Sequence, residues 1–343
     1  MGKRVVIRKA GGVSCITTIP MEKASPGKGQ VRVKVAYAGI NFADLLMRMG
    51  FYNPRPPYPF TPGYEVSGVV DELGEGVDGL AVGQRVVAAM RNGGQASYVL
   101  ASVDRVIPLP DGMSLEAAAA TPVTYMTAHH MLHHLGHLQE QESVLIHGGA
   151  GGVGTAALQL CKWAGIEKVW ATSSKSKHHF IEGYGAKPID RHAEDFVSII
   201  KKETEGRGVD HILDPIGGEH LRRSLSVLAQ GGRLYTYGLS AAAPSSKRSL
   251  LKAFFAMRKT PKFDPLKLMM RNRSVFGVHM GTWEDEKVMH AQLGRIVQGI
   301  QTGHLEPIID RIFDAEDVQK AHQHIHDAKN IGKVLLKFED VEG

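Results

Sequence analysis

The stretch His147-Gly148-Gly149-Ala150-Gly151-Gly152-Val153-Gly154 decides how this chain folds. Residues 149–154 satisfy the pattern G-x-G-x-x-G. The apolar run 143–147 precedes this stretch, and residues 155–163 follow it with the apolar spacing of a helix. A glycine turn between a strand and a helix is typical of a site for the pyrophosphate of a dinucleotide, whereas the pattern alone is a weak signal. We therefore predict that residues 149–154 bind such a cofactor, with a glycine-rich turn that binds nothing as the alternative.

The three glycines of the pattern are expected to have different roles. Gly149 should allow the tight turn, Gly151 should let the backbone approach the pyrophosphate, and Gly154 should let the helix pack close to the strand. The amino end of the following helix supplies unpaired N–H groups and the positive end of its dipole.

The segment 171–177 (ATSSKSK) favours NADPH over NADH. An NAD site usually has Asp or Glu about 20 residues after the glycines, where it holds the ribose 2′-hydroxyl. This segment has no acidic residue, but it has hydroxyl groups and two lysines, Lys175 and Lys177. Those groups suit a 2′-phosphate, which a carboxylate would repel. The alternative is that both lysines are solvated surface charges.

Strand and helix patterns alternate on the carboxyl side of the glycine stretch. Leu221, Leu225 and Leu228 have the spacing of a helix between two apolar runs. Strands are predicted at 168–172, 209–214 and 233–237. This alternation predicts an α/β fold with a Rossmann-type parallel sheet. The first 110 residues or so are instead β-rich, with alternating apolar and charged side chains at 31–35.

Composition limits the compartment and the class of protein. The 343 residues are 43% hydrophobic and 22% charged, which suits about two folded domains. Cys15 and Cys161 are the only cysteines, so a disulfide framework and a zinc ribbon are excluded. The chain starts without an apolar signal segment and has no run of about 18 apolar residues. We therefore expect a cytoplasmic protein.

The basic balance of the chain comes from one segment, residues 247–273, which we call the basic segment. It has nine basic residues and one acidic residue, a net charge of +8, so the rest of the chain carries −2. Such an apolar and basic stretch can lie on an anionic membrane. We favour a packed helix with its apolar side in the core, or a flap over the cleft. No recognition motif supports nucleic acid as a partner.

Four stretches together resemble a known family. They are Ala38–Asp44 (AGINFAD), Pro62–Gly68 (PGYEVSG), Ala150–Gly154 (AGGVG) and Asn330–Leu335 (NIGKVL). The chain resembles the zinc-free quinone oxidoreductase (zeta-crystallin-like) branch of the medium-chain dehydrogenase/reductase superfamily. Within that branch it is most similar to the vesicle amine transport protein homologues, through Asn-Phe-Ala-Asp, Ser-Lys-His at 176–178 and the basic insert after Ser240.

The resemblance implies two domains and a homodimer. A GroES-like catalytic domain would span residues 1–122 and be completed by about 280–343. A Rossmann NADP-binding domain would span 123–279 and carry the basic insert at 241–273, with the cofactor in the interdomain cleft.

The resemblance also implies cofactor contacts. Ser173 and Lys177 would contact the 2′-phosphate of NADPH, while Gly238 and Leu239 would lie near the nicotinamide end. Thr124 is a further candidate contact. Arg191 stands where the family often has Tyr, and its guanidinium can pair with phosphate, so its role stays open.

Zinc-using relatives place a Cys ligand at the position of Asn41 and a His ligand at that of Tyr64, so we expect no metal. Without a Lewis acid, hydride addition to quinones or α,β-unsaturated carbonyls is the expected chemistry. Asn41, Asp44, Tyr52 and Tyr64 are the candidate catalytic residues, with Tyr125 as a weaker one. Asn41 is also a candidate cofactor contact, since its amide can hydrogen-bond the nicotinamide or its ribose. Ordinary packing is the alternative for each tyrosine, and an i, i+4 contact with Arg48 is the alternative for Asp44.

Two questions stay open at this stage. The five histidines between 129 and 137 have spacings that permit metal binding, but we interpret them as partly exposed helix positions. A low-turnover protein that holds NADPH and contacts anionic membranes through the basic segment is the alternative function.

Overall fold

The computed structural model describes residues 2–341, and the chain divides into two compact units. Unit 1 comprises Met1–Val123, Ser245–Arg248 and Pro307–Gly343. Unit 2 comprises Thr124–Pro244 and Ser249–Glu306. Each unit has its own sheet and its own hydrophobic core.

Strands and helices are numbered along the chain. The strands are β1 (Gly2–Ile7), β2 (Ile16–Met21), β3 (Gln30–Ile40), β4 (Glu65–Leu73), β5 (Arg85–Ala89), β6 (Tyr98–Ser102), β7 (Val106–Pro108), β8 (Ser143–His147), β9 (Lys168–Ser173), β10 (Lys187–Asp190), β11 (Val209–Asp214), β12 (Leu228–Thr236), β13 (Ser274–Gly277), β14 (Ile309–Asp314) and β15 (Lys333–Lys337). The α-helices are α1 (Phe42–Met49), α2 (Leu115–Ala120), α3 (Pro122–His129), α4 (Gly152–Trp163), α5 (His178–Glu182), α6 (Phe196–Glu203), α7 (Gly218–Ser226), α8 (Leu250–Lys259), α9 (Pro265–Met269), α10 (Glu286–Gln301) and α11 (Val318–His326).

Unit 1 is built on a seven-stranded sheet. The strand order is β14-β15-β3-β4-β5-β7, and β6 also pairs with β3. Val31, Val33 and Val35 alternate along β3 and are fully buried, because successive side chains of a strand point to opposite faces. The tail of the chain completes this sheet, since β15 pairs antiparallel with β3.

Unit 2 is built on a six-stranded sheet in which every pair is parallel. The order is β10-β9-β8-β11-β12-β13. The central strand β8 is apolar over most of its length because helices cover a parallel sheet on both faces. Val144, Leu145 and Ile146 of β8, for example, are completely buried. The predicted Rossmann-type parallel sheet is confirmed.

One predicted helix is too long by its last leucine. Leu221 lies in α7 as expected, but α7 ends at Ser226 and Leu228 begins β12. Leu228 pairs with Val209 at the start of β11. The interpretation of Leu228 as a helix position is therefore wrong, because the pairing of β12 with β11 determines its conformation.

The chain returns to unit 1 at Pro307, whereas the family resemblance suggested about residue 280. Helix α10 stays with unit 2 because its Ile296 is fully buried in the core of that unit, together with Leu305. Residues 245–248 lie in unit 1, where Arg248 Nε donates to the Met49 carbonyl at the end of α1 (2.8 Å).

The histidine-rich helix differs from its interpretation as partly exposed positions. Helix α3 continues into a π-helix, His130–Leu135, and His129 and His130 are buried. The ring of Trp283 packs edge-on against His130, with 4.5 Å between centroids. Gln292 of α10 lies 3.0 Å from His130 Nδ1. These histidines belong to the packing between α3 and α10, so the interpretation is wrong for His129 and His130.

The basic segment exposes its apolar side chains. Within α8 only Ala253 is buried, and Phe254 and Phe255 are 57% and 49% exposed. The exposed apolar residues of the segment are Leu250, Leu251, Phe254, Phe255, Met257, Leu266, Met269 and Met270. The expectation of a packed helix with its apolar side in the core is therefore wrong. Between residues 2 and 341, no helix combines the length and apolar character needed to cross a membrane.

Candidate functional site

The parallel strands of unit 2 end at one edge of its sheet, which we call the carboxyl edge. Gly148 follows β8, Ser173 ends β9, Arg191 follows β10, and Gly238 follows β12 by two residues. Because the strands run in one direction, these residues from distant parts of the sequence lie along the same edge. Ligands of open parallel sheets bind at this edge.

The glycine loop, residues 148–154, is shaped by contacts that leave no room for side chains. Gly148, the residue before the pattern, has a φ of +67°, in the left-handed region that favours glycine. A Cβ on Gly149 would lie 2.6 Å from the Cβ of Ala171 in β9. A Cβ on Gly154 would lie 2.3 Å from the Gly148 carbonyl oxygen. The loop and the start of α4 can therefore pack closely only with glycine at both positions.

The backbone N–H groups of the loop and of the start of α4 have different surroundings. The Gly149 N–H donates to the Thr172 carbonyl (3.0 Å), and the Gly151 N–H donates to the Gly148 carbonyl (2.9 Å). Helix α4 begins at Gly152, and the first N–H groups of a helix have no carbonyl partner within it. Its first turn contains no acidic side chain, so the positive end of the helix dipole favours an anion there.

Polar and basic groups surround the end of β9. The Ser173 side chain is buried and its hydroxyl donates to the Ser174 carbonyl (3.0 Å). The Lys177 N–H also donates to the Ser174 carbonyl (2.9 Å), and the Arg191 N–H donates to the Ser173 carbonyl (2.9 Å). The backbone thus holds Lys177 and Arg191 beside this strand end, where the Ser173 hydroxyl is bonded to the Ser174 carbonyl.

The remaining candidate contacts of unit 2 lie in two places. A Cβ on Gly238 would lie 2.5 Å from the Pro215 carbonyl oxygen, so the chains that follow β11 and β12 approach closely there. Leu239 follows at the same edge. Thr124 is a buried residue of α3. Tyr125, the next residue, uses its hydroxyl to donate to the Glu306 carbonyl (2.9 Å), which assigns it to the packing of unit 2.

A buried network that sequence reasoning missed anchors the carboxyl edge. His147 Nε2 lies 3.1 Å from the Ser224 hydroxyl, which donates to Asp214 Oδ2 (2.8 Å). The same carboxylate oxygen lies 3.1 Å from His220 Nδ1. Burial lowers the pKa of His147 to about 3, so its imidazole is neutral. Although burial opposes it, the hydrogen bond with His220 holds the pKa of Asp214 below its usual range.

His147, Asp214 and His220 have the residue types and spacing of a metal site. Their ring nitrogens and carboxylate oxygens are, however, joined by hydrogen bonds directly and through Ser224. The other Asp214 oxygen accepts the N–H groups of Ile216 (2.8 Å) and Gly217 (3.0 Å). The network therefore fixes the turn after β11.

Unit 1 has a polar cluster, formed by Asn41, Asp44, Glu65 and Lys333. Asn41 Nδ2 donates to Glu65 Oε1 (3.0 Å), and Lys333 Nζ donates to Asn41 Oδ1 (2.6 Å). Lys333 also forms an ion pair with Glu65. All four residues are buried, so the charges of Glu65 and Lys333 compensate each other away from water.

Asp44 has a capping role in this cluster. Its Oδ2 accepts the N–H of Asn41 (2.8 Å), the residue before α1, and its Oδ1 accepts the N–H of Gly63 (3.1 Å). Burial raises the pKa of Asp44 to about 7, although these hydrogen bonds and Lys333 act in the opposite direction. The suggested contact with Arg48 is wrong, because Arg48 instead contacts the Gly11 carbonyl (2.9 Å) and His326 (2.7 Å).

Tyr52 and Tyr64 form a hydroxyl pair in unit 1. A side-chain hydrogen bond joins them, and both rings pack against the core of the unit. Burial raises the pKa of both phenols, so each keeps its proton at neutral pH. A protonated phenol can donate a hydrogen bond, so the pair has the chemistry expected of the candidates.

Glu65 and Lys333 are the functional candidates that sequence reasoning missed. Both lie in stretches that carry the family resemblance, Pro62–Gly68 and Asn330–Leu335. Glu65 begins β4 and Lys333 begins β15, so a charged residue at the start of each strand was the available signal. Their contact with Asn41 depends on the pairing of β15 with β3 and of β3 with β4, which no local pattern reveals.

Comparisons with known proteins identify the family. Residues 27–111 match the alcohol dehydrogenase GroES-like domain, and residues 184–336 match the zinc-binding dehydrogenase family. The chain is 38% identical over 319 residues to the mouse synaptic vesicle membrane protein VAT-1 homolog, covering 92% of this chain and 78% of that protein. The chain belongs to the medium-chain dehydrogenase/reductase superfamily. This confirms the family and the expected α/β fold with a GroES-like domain.

Two further members of the superfamily are similar over nearly the whole chain. Human quinone oxidoreductase is 30% identical over 315 residues, which cover 91% of this chain and 90% of that protein. The crystal structure of Escherichia coli quinone oxidoreductase complexed with NADPH matches with a TM-score of 0.86 and 25% identity, covering 98% of this chain and 99% of that one.

The zinc named in one of these families does not fit the polar cluster. The amide of Asn41 is bonded to Glu65 and Lys333, and Tyr64 is paired with Tyr52. Catalytic zinc in proteins is held by Cys, His or carboxylate ligands. Of the two carboxylates beside Asn41, Glu65 already forms an ion pair with an ammonium group, and Asp44 accepts the N–H groups of Asn41 and Gly63. Neither Asn41 nor Tyr64 therefore offers a ligand of the kinds that hold catalytic zinc.

Proposed function

We propose that this chain is a zinc-independent, NADPH-dependent reductase that transfers hydride to quinones or α,β-unsaturated carbonyls. The observation that carries this proposal is the glycine loop at the carboxyl edge, with Lys177 and Arg191 beside it and no acidic residue at the end of β9. NADPH, when bound, supplies the hydride. The likeness to quinone oxidoreductases supports the choice of acceptor.

The residues of unit 2 would hold the cofactor by its phosphates. The N–H groups at the start of α4 would bind the pyrophosphate, for which the glycine loop leaves space. Lys177 and Arg191 would bind the 2′-phosphate, since an ammonium and a guanidinium pair with phosphate. Ser173 would also contact the 2′-phosphate, because its hydroxyl lies at the same strand end and can turn from the Ser174 carbonyl to a phosphate oxygen. Gly238, Leu239 and Thr124 are proposed to contact the nicotinamide end.

The residues of unit 1 would orient the acceptor. A quinone or an enone is already electron-poor, so it needs no Lewis acid to accept hydride. Tyr52 would donate a hydrogen bond to an acceptor carbonyl and Tyr64 would donate to Tyr52, because both phenols stay protonated and each has one proton. Asn41 would present a fixed amide, since Glu65 and Lys333 hold both of its ends. Asp44 would act as a positioning residue through its cap on α1.

The test is a panel of quinones and enones with NADPH, followed by loss of absorbance at the nicotinamide band. We expect turnover with at least one acceptor class, unchanged after removal of metals with a chelator. An absence of turnover with every acceptor, although NADPH binds, would reject the reductase assignment. Turnover that is lost with the chelator and restored by zinc would reject zinc independence.

A second candidate function rests on the exposed apolar side chains of the basic segment. We propose as this alternative a low-turnover protein that holds NADPH and contacts anionic membranes. Eight large apolar side chains of residues 250–270 are exposed on a segment with a net charge of +8. Apolar insertion and attraction between basic residues and anionic lipids add together, at about 1 kcal/mol per basic residue near the surface.

Sedimentation with anionic vesicles at low salt separates the two functions. We expect wild-type protein to sediment with anionic vesicles and Phe254→Ser/Phe255→Ser to lose this binding. Val82→Ser/Leu100→Ser, which removes exposed apolar groups outside the segment, is the matched control. Equal sedimentation of all three proteins would reject a membrane role for the segment. A homodimer and a cytoplasmic location stay predictions, to be tested by light scattering and by fractionation.

A further inference from the structure

Unit 2 has a basic surface at the edge of its sheet opposite to the glycine loop, which we call the amino edge. Arg207 and Gly208 precede β11, Val227 precedes β12, and Arg271 and Arg273 precede β13. These three strands are neighbours and run parallel, so the residues before them lie together. The glycine loop follows the carboxyl end of β8 in the same sheet. The two edges are therefore separated by the length of the strands.

Two cavities lie at the amino edge. They have volumes of about 440 and 350 Å³ and share Ser226, Arg271 and Arg273 in their walls. Both volumes fall in the range of small-molecule sites, about 300–1,000 Å³. Lys201 and Arg207 complete the basic lining of the smaller cavity, which has four basic residues and no acidic one. A site of this charge would take an anion.

The four basic side chains of the smaller cavity have two different roles. Arg207 donates to both carboxylate oxygens of Asp210 (2.6 and 3.0 Å). Arg273 donates to main-chain carbonyls at and just beyond the end of α7. Those two guanidinium groups are thus held in place by the protein. Lys201 and Arg271 form no ion pair with any residue between 2 and 341, so their charges are available to a ligand.

The positive charges at the amino edge repel one another when no anion lies between them. Burial lowers the pKa of Arg273, and the neighbouring Arg271 lowers it further. A phosphate group would offset this repulsion, and it matches the planar donor fork of a guanidinium, which can bind two oxygens at once. A carboxylate would also carry negative charge, but it has two acceptor oxygens where a phosphate monoester has three.

We propose that the smaller amino-edge cavity binds a phosphate monoester through Arg271 and Lys201. Arg207 and Arg273 form the rigid basic wall behind them. The ligand would be either a soluble organic phosphate or the head group of phosphatidic acid, since both are phosphate monoesters. This site is separate from the proposed NADPH site and does not depend on it.

The test compares wild-type protein with two double variants of equal charge change. Lys201→Gln/Arg271→Gln removes the proposed ligands, and Lys9→Gln/Lys168→Gln removes two exposed charges outside both the cavity and the basic segment. Binding of glycerol 3-phosphate is measured by calorimetry at low ionic strength. We expect the first variant to lose affinity at least tenfold and the second to change less than twofold. NADPH binding at the glycine loop would persist in both variants. A failure of the NADPH proposal is therefore distinguishable from a failure of the phosphate site.

Vesicles distinguish the two sources of phosphate. Binding of glycerol 3-phosphate with no gain on phosphatidic acid vesicles would assign a soluble ligand. Vesicle binding that Lys201→Gln/Arg271→Gln abolishes, without measurable binding of glycerol 3-phosphate, would assign a head group. Three results would overturn the site. Wild-type protein and Lys201→Gln/Arg271→Gln could bind with equal affinity, both variants could lose equal affinity, or neither probe could bind.

Discussion

The glycine loop of unit 2 and the polar cluster of unit 1 are built in opposite ways. The loop consists of consecutive residues, 148–154, has no charged side chain, and offers the first N–H groups of α4. The cluster joins Asn41, Glu65 and Lys333, which are distant in the sequence, and buries two opposite charges. The loop therefore depends on the absence of side-chain volume, whereas the cluster depends on the balance of charge. Substitutions that add volume should therefore act mainly on the loop, and substitutions that remove a charge should act mainly on the cluster.

The largest expected effect comes from removing one charge of the cluster. Lys333→Met leaves Glu65 buried without its ammonium partner, and loss of one member of a buried ion pair costs about 3–5 kcal/mol of stability. Urea unfolding at pH 7.5 measures this loss. The double variant Lys333→Met/Glu65→Gln should recover part of it, because no unpaired charge remains. A loss below about 1 kcal/mol for Lys333→Met would show that the pair does not stabilise the unit.

The next effect comes from adding volume to the loop. Gly154→Val places a Cβ where only 2.3 Å separates it from the Gly148 carbonyl oxygen, so the loop must move away from α4. We expect the affinity for NADPH to fall at least about 100-fold, or about 2.7 kcal/mol, in a fluorescence titration. Gly294→Ala in α10, with no atom within 4 Å of the added Cβ, should leave that affinity unchanged. Tight NADPH binding by Gly154→Val would contradict the role of the loop.

A fall in pH should change the stability of the two units in opposite directions, through His133 in unit 2 and Asp44 in unit 1. Burial lowers the pKa of His133 to about 4, below the value of about 6.5 of an unfolded chain. Its contribution to stability is thus present above pH 6.5 and is lost as the pH falls towards 4, at up to about 1.4 kcal/mol per pH unit. Asp44, with its pKa raised to about 7, contributes at low pH and loses that contribution as the pH rises through 7.

Urea unfolding between pH 8 and pH 4.5 checks the histidine part of this comparison. His133→Gln should flatten the acid side of the stability profile, because one proton fewer binds on unfolding. His179→Gln, at an exposed position, is the control and should keep the wild-type slope. A profile of His133→Gln that parallels the wild type would mean that His133 is not held neutral by burial.

The smallest effect is expected at the hydroxyl pair. Tyr52→Phe removes one neutral hydrogen bond, which is worth about 0.5–1.5 kcal/mol, so kcat/KM with an enone should fall roughly threefold to tenfold. Tyr98→Phe in β6 is the control, with an unchanged rate expected. If Tyr52→Phe keeps the wild-type kcat and kcat/KM, Tyr52 donates no hydrogen bond to the acceptor.

Local patterns were enough to predict the loop and its sheet. The strands β8 and β11 lie where their apolar runs predict, because a buried parallel strand needs a continuous apolar sequence. The glycine that has the positive φ is Gly148, which the pattern does not include. The pattern fixes the sequence positions of the glycines, but their backbone angles depend on contacts with β9.

The cluster and the basic segment could not be predicted in the same way. Glu65 meets Asn41 and Lys333 only through strand pairing across the sheet of unit 1, which no local sequence specifies. Apolar residues at helical spacing predict one apolar face, but they do not say whether another element covers it. In α8 that face is exposed, so the sequence pattern correctly predicts a helix there and wrongly predicts its burial.

The central claim is that the carboxyl edge of unit 2 binds NADPH by its 2′-phosphate. The most direct measurement is the ratio of kcat/KM for NADPH to kcat/KM for NADH, in wild-type protein, Lys177→Gln/Arg191→Gln and the control Lys175→Gln. Charged hydrogen bonds are worth about 1.5–3 kcal/mol each, so the wild type should favour NADPH at least about tenfold. We predict that the double variant loses this preference and that the control keeps it. A wild-type preference for NADH, or an unchanged ratio in the double variant, would contradict the claim.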